Sequence, residues 1–351
     1  MPLLDGIDTW RSITNTLDEQ IAGFGQIDYS VTDKLKLIAG LRYARNKFSF
    51  SNLSTGMWNY SEVFNEGRQE ESPVTRKVGA SFQATNDHLF YATYAEGYRI
   101  GGVNAFIPYA PCAEGFDQLG VTGAPETYKS DTTKSYEVGA KNSVLDGRLR
   151  MASSVYFTKW DGIQTAISVP FCGYRYIDNQ GKAESKGFDV QAQLQLLTGL
   201  TVDLALGYTD AHFTQRFDFG TDNPSVLNGT SLGQPEWTLA TGAQYGFSAF
   251  GRESYVRVDW QHASKQKGLT ETQDPRILRT YDPTIPIPPA TDYLTMRLGT
   301  AIEQVDLALF VDNLLDSSKT LTRFHSSRDA PDYGITTWRP RTISLIAAWK
   351  F

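Results

Sequence analysis

Few of the 351 residues could do chemistry, and those that could are scattered. Asp189 and Asp203 are paired carboxylates on neighbouring segments, the arrangement glycoside hydrolysis needs, but nothing in their spacing sets the separation that chemistry uses. No GxSxG turn, phosphate loop or HExxH helix occurs. A secreted all-β hydrolase or carbohydrate-binding module therefore finds no further support, and no catalytic residue is assigned. Four histidines and two cysteines without a CxxC pair supply no metal-ligand set, and no cofactor is implied. Cys112 and Cys172 lie in long loop-like stretches; they could pair if that side faces an oxidising space, and are two free thiols otherwise. A net charge of −6 offers no basic footprint for nucleic acid.

Binding chemistry is better represented. Tyr98, Arg99, Asn104, Phe106, Tyr109, Tyr174, Arg175, Tyr176, Arg323, His325 and Trp338 combine aromatic faces with cationic donors in loop-like stretches, which suits an anionic or ring-bearing ligand. The competing reading puts Tyr98 and Arg99 in a strand-end girdle and makes Trp338 a rim anchor.

The elements that must position these residues show period-two alternation. In 188–196, Phe188, Val190, Ala192, Leu194 and Leu196 alternate with Asp189, Gln191, Gln193 and Gln195. Thirteen such segments are predicted, near 19–31, 35–50, 73–84, 89–98, 131–144, 148–160, 182–197, 201–213, 236–247, 254–264, 291–302, 305–314 and 340–351. Their connections alternate between tight turns rich in Asp, Asn and Gly and long loops such as 101–112 and 280–292. Several segments exceed the usual strand of a soluble sandwich. One face carries Asp189, Gln191, Gln193, Asp203, Arg257 and Asp259, a burden no dry core tolerates unpaired. A tilted strand between lipid and a wet lumen accounts for both faces.

No apolar run exceeds five residues, so a helical membrane span is excluded. Aromatics make up 13% of the chain, and Tyr43, Phe157, Trp160, Tyr208, Trp237, Tyr245, Trp260, Tyr293 and Trp349 fall near segment ends, where interfacial girdles belong. The predicted fold class is all-β: a transmembrane antiparallel up-and-down barrel.

The runs LFYATYAEGYRIGGVNAF (89–106), ETYKSDTTKSYEVGAKNSVLDGRLRMASSVYFTKWDGIQ (126–164), LFVDNLLD (309–316) and WRPRTISLIAAWKF at the end resemble the barrel of TonB-dependent outer-membrane receptors. The resemblance covers nearly all of 19–351 and implies 22 strands, of which about thirteen are found. It makes Phe351, with Trp349 on the same side, the signal read by the barrel-assembly machinery. It also implies a Gram-negative outer membrane, surrounding lipid, energy from the TonB complex through an N-terminal plug region, and a small-molecule or metal-chelate ligand. The implied cargo is bulky and scarce: a ferric siderophore, cobalamin or an oligosaccharide. A passive pore or a non-functional truncated barrel is the alternative. No signal peptide or plug is recognisable, so 1–18 read as the remnant of an external loop or preceding strand, and the chain reads as the C-terminal part of a receptor.

Overall fold

The computed structural model describes residues 10–57, 62–217, 224–325 and 332–350. Its strands begin with β1 (Arg11–Ser30), β2 (Leu35–Thr55), β3 (Val63–Glu71), β4 (Val74–Thr85), β5 (His88–Arg99), β6 (Gly102–Val103) and β7 (Thr127–Tyr128). They continue with β8 (Asp131–Val144), β9 (Leu149–Asp161), β10 (Gln164–Ser168), β11 (Arg175–Asn179), β12 (Lys182–Leu197) and β13 (Leu200–Phe213). The last are β14 (Trp237–Ala249), β15 (Arg252–Ala263), β16 (Thr291–Ile302), β17 (Val305–Asp312), β18 (Thr320–His325), β19 (Tyr333–Thr337) and β20 (Thr342–Trp349). A single helix among the described residues, α1 (Tyr109–Leu119), lies between β6 and β7.

The main sheet runs β1-β2-β4-β5-β8-β9-β12-β13-β14-β15-β16-β17-β20, antiparallel throughout, with β3 extending β2. These thirteen staves match the thirteen alternating segments. The first starts earlier than the alternation suggests: Arg11 to Asp18 pair with Thr55 back to Phe48, so residues 11–18 belong to β1. Ser12, Thr14, Asn15 and Thr16 are polar on both faces, and backbone pairing rather than hydrophobic patterning makes them strand.

Direct register pairs keep the two faces apart. Phe188, Val190 and Ala192 oppose Tyr208, Leu206 and Leu204, which oppose Trp237, Leu239 and Thr241 on the next strand. The apolar side chains stay uncovered: Val138, Val155, Ile343 and Leu345 are all more than half exposed. Of the expected girdle, Tyr208 and Trp237 form a ring cluster with Phe188, with centroids 4.9 to 5.9 Å apart. Trp160 and Tyr293 depart from that expectation. Register puts both on the polar face, where Trp160 packs against Ile163, Ala183 and Phe213. Nearness to a strand end is not enough; parity decides the face.

At the tight-turn end, Leu145, Asp146 and Gly147 take positive φ, as do Phe250 and Gly251. Left-handed backbone there matches the turn to the twist of the strands it joins. The other end carries 56–73, 100–130, 162–181, 214–236, 264–290 and 313–341. Four of these carry regular elements among the described residues: β3 in 56–73, β6–β7 with α1 in 100–130, β10–β11 in 162–181 and β18–β19 in 313–341. α1 has no side-chain N-cap, and its buried residues Cys112, Phe116 and Leu119 are held by the neighbouring loop. Nothing local in the sequence announces it.

Candidate functional site

The long-loop end is the candidate binding surface, and its best-built part joins 100–130 to 162–181. Ile107, Phe116 and Leu119 of the first pack with Ile167, Val169 and Tyr176 of the second. A disulfide links Cys112 to Cys172, with Cα atoms 5.2 Å apart. Asn104 acts as a polar staple: its amide donates to the carbonyls of Pro125 (2.9 Å) and Ile177 (2.7 Å) while its oxygen accepts from Ile177 N–H (2.7 Å). Asn179 does the same between Lys129 and Gly162, and Gln164 donates to the carbonyls of Ile100 and Lys129. At the base, the Arg99 guanidinium lies 5.5 Å from the Trp160 ring and donates to Asp131, whose carboxylate is buried.

Several expected ligand contacts are thus part of this scaffold. Asn104 and Tyr176 are buried, and burial pushes the Tyr176 phenol up to about 12. Tyr174 packs beside the same cluster. Arg99 is committed to Asp131, and the Tyr98 hydroxyl accepts from Gln20 and Asn46. The exposed members are Phe106, Tyr109, Arg175 and Arg99, the last of them already paired with Asp131; Phe171 joins them, 73% exposed at the tip of the β10–β11 hairpin with φ 65°. Phe171 carried no pattern in the sequence that marked it.

The other expected contacts lie on separate loops. His325 Nε2 is 3.5 Å from Asp282 and 2.7 Å from the Thr284 hydroxyl, tying 264–290 to the β18–β19 hairpin. The Thr284 hydroxyl hydrogen bond holds the Asp282 carboxyl below its usual range. Arg323 stacks on Tyr333 at 3.8 Å. Trp338 packs on Tyr293 at 4.7 Å and helps line a cavity of about 410 Å³ with Asp189, Gln191 and Gln261. Trp349 is exposed on the apolar face, paired with Val305; Phe351 lies outside the described residues.

On the polar face Arg257 donates to Asp259 (2.9 Å) and Asp203 (3.1 Å), and Gln193 donates to Asp203 (3.0 Å), beside a cavity of about 710 Å³. Asp189 accepts from Ser154 instead. The carboxylates do not face each other: Asp189 opposes Gly207 and Asp203 opposes Gln193, so four residues of strand, about 13 Å, part them. That exceeds the separations glycosidases use. Among the described residues no group of His, Cys, Asp and Glu could hold a metal ion.

An antiparallel sheet of thirteen staves, oily on one face and charged on the other, with tight turns at one end and large loops at the other, has the architecture of the staves of a transmembrane β-barrel. The chain belongs to the TonB-dependent receptor β-barrel family: the model described as "TonB dependent receptor-like, beta-barrel" matches residues 3–314. It is 28% identical over 321 residues to the metal-pseudopaline receptor CntO of Pseudomonas aeruginosa, covering 91% of this chain and 39% of that protein. It is 23% identical over 199 residues to the pesticin receptor of Yersinia enterocolitica, covering 57% and 27%. Its fold is similar to that of the ferric yersiniabactin uptake receptor FyuA from Yersinia pestis, with TM-score 0.73 at 16% identity over 97% of this chain and 47% of that one. The chain therefore spans less than half the length of each. Members of this family are outer-membrane transport receptors rather than enzymes; they work with TonB and bind small ligands.

Proposed function

We propose that this chain supplies barrel staves and ligand-capture loops of an outer-membrane receptor that imports a metal chelate of the ferric-siderophore type. Energy comes from the TonB complex through a plug region outside these residues, and about nine further strands close the barrel. Lipid covers the apolar face, and the barrel-assembly machinery reads the last strand through Trp349 and Phe351. The observation that carries this reading is the clamped loop pair, whose disulfide and asparagine staples hold Phe106, Tyr109, Phe171 and Arg175 toward solvent above a polar face. Rigid aromatic rings beside a guanidinium capture a bulky anionic complex at little entropic cost. The names of the relatives, receptors for metal-pseudopaline and for a ferric pyoverdine among them, favour a chelate over cobalamin or an oligosaccharide.

The test is uptake of radio-iron presented as catecholate, hydroxamate and carboxylate complexes to a strain lacking the natural gene and complemented with it. One class is expected to be taken up only with the gene present and the proton-motive force intact, and Phe106→Ala with Arg175→Ala is expected to weaken its binding by about tenfold or more. Uptake that survives collapse of the proton-motive force favours a passive pore.

A further inference from the structure

The apolar face between β4 and β9 is layered. Register aligns three rungs, stepping toward the long loops: Ala80, Ala92, Val138 and Val155; then Val78, Tyr94, Tyr136 and Phe157; then Glu96, Lys134 and Lys159. The first two rungs line a groove of about 630 Å³, where the alanines leave room between half-exposed valines and the rings. Tyr94, Tyr136 and Phe157 form a continuous ring ladder with centroids 5.1 and 6.4 Å apart.

The third rung has a charge conflict. Lys134 and Lys159 are directly opposite each other on adjacent strands, an arrangement that costs stability when like charges meet. Each has a glutamate on its other flank in register, but both glutamates turn away. Glu96 is held by Arg76 (3.2 Å) and the Tyr94 hydroxyl (2.6 Å), and Glu184 by His212 (3.4 Å). Among the described residues neither lysine has a carboxylate within ion-pair distance; Lys159 only approaches the Phe157 ring at 5.6 Å. Two opposed ammonium groups call for a shared anion, and a phosphate oxygen set accepts charge-assisted hydrogen bonds from both.

We infer that this patch binds a phosphorylated, multiply acylated saccharolipid of the outer leaflet. Its phosphate bridges Lys134 and Lys159, its sugar lies on the Tyr94–Tyr136–Phe157 ladder, and one acyl chain fills the groove below. The rungs stand about 7 Å apart along the strand, the order and spacing of headgroup, sugar and chain in such a lipid. The ring faces suit a pyranose better than glycerol. This assignment rests on the proposed outer-membrane placement with the long loops outward.

Native mass spectrometry on the full natural protein, purified in detergent and titrated with bis-phosphorylated lipid A, phosphatidylglycerol or phosphatidylethanolamine, tests it. Expected is preferential retention of lipid A, reduced about tenfold or more in Lys134→Gln/Lys159→Gln and also in Ala92→Leu, which fills the groove with both charges intact. Lys34→Gln/Arg252→Gln, at the tight-turn end, is expected to match wild type. Equal retention of lipid A and phosphatidylglycerol, or wild-type occupancy in both the lysine and the groove variants, overturns the site. Membrane fractionation of the same preparations separates the two readings: protein in the outer membrane with unchanged lipid occupancy defeats the lipid site alone, and protein outside the outer membrane defeats the placement and the site together.

Discussion

At the scale of the residue, the polar groups with the greatest consequence are those that hold loops rather than those free to touch a ligand. Asp274 is the sharpest case: buried in 264–290, it accepts from the Arg276 side chain at 2.9 and 2.6 Å and from its backbone N–H. The Arg276 hydrogen bonds hold its carboxyl below the ordinary range. A depressed carboxylate stabilises the fold above its unfolded pKa, about 3.9, and that stabilisation disappears as pH falls through the folded value. Hydrogen exchange of 264–290, corrected for intrinsic rates, should therefore show constant protection above about pH 4 and a decline below it. Asp274→Asn should flatten the profile; an unchanged decline in that variant would remove Asp274 as its source. Side chains such as Asn104 and Arg99 teach the same lesson. Their types suit ligand capture, yet burial with its backbone partners commits Asn104 to the scaffold, and the ion pair with buried Asp131 commits Arg99.

Elements in this molecule are of two kinds, and they respond differently to change. Staves are fastened to one another by close contacts on the polar face: Gly139, Gly187 and Gly299 lie directly opposite Tyr91, Tyr156 and Tyr255, whose rings lie over the space a Cβ would occupy. Gly299→Ala is expected to displace the Tyr255 ring and cost about 1–3 kcal/mol, read as a lower temperature for loss of the folded band in heat-modifiability gels of the full protein. A midpoint equal to wild type would mean the ring moves freely. The clamped loop pair is the second kind. Its disulfide spans a separation of 60 residues, for which chain entropy gives at most about 4 kcal/mol, and less here because β8 and β9 already hold the loop roots together. Cys112→Ser/Cys172→Ser should speed proteolysis within 100–130 and 162–181 while leaving the heat-modifiable barrel intact. Loss of the barrel band would show that the loops support the staves. Strand positions were legible because alternation is a local pattern; α1 and the loop hairpins were not, since their stability comes from contacts made across two loops distant in sequence.

For the whole molecule, the sheet has two edges, β1 and β20, which do not pair with each other among the described residues. In lipid each unpaired backbone group costs several kcal/mol, so a sheet left open there is not stable. On the proposed reading, residues 1–351 expressed alone should fail to give a heat-modifiable, protease-resistant outer-membrane species, whereas the same residues joined to the further strands of the proposed receptor should give one; a stable membrane species from these residues alone would show that β1 and β20 can close on each other. The sequence by itself determined the staves, their two chemically opposed faces and the alternation of short and long connections, because each follows from spacing along one strand and the need to separate oil from water. Only the tertiary structure decided that Tyr176 and Asn104 are buried while Phe171 and Arg175 face solvent, that Trp160 and Tyr293 turn inward, and that Lys134 meets Lys159. Those outcomes depend on register and on packing between segments far apart in the chain, which no local period encodes.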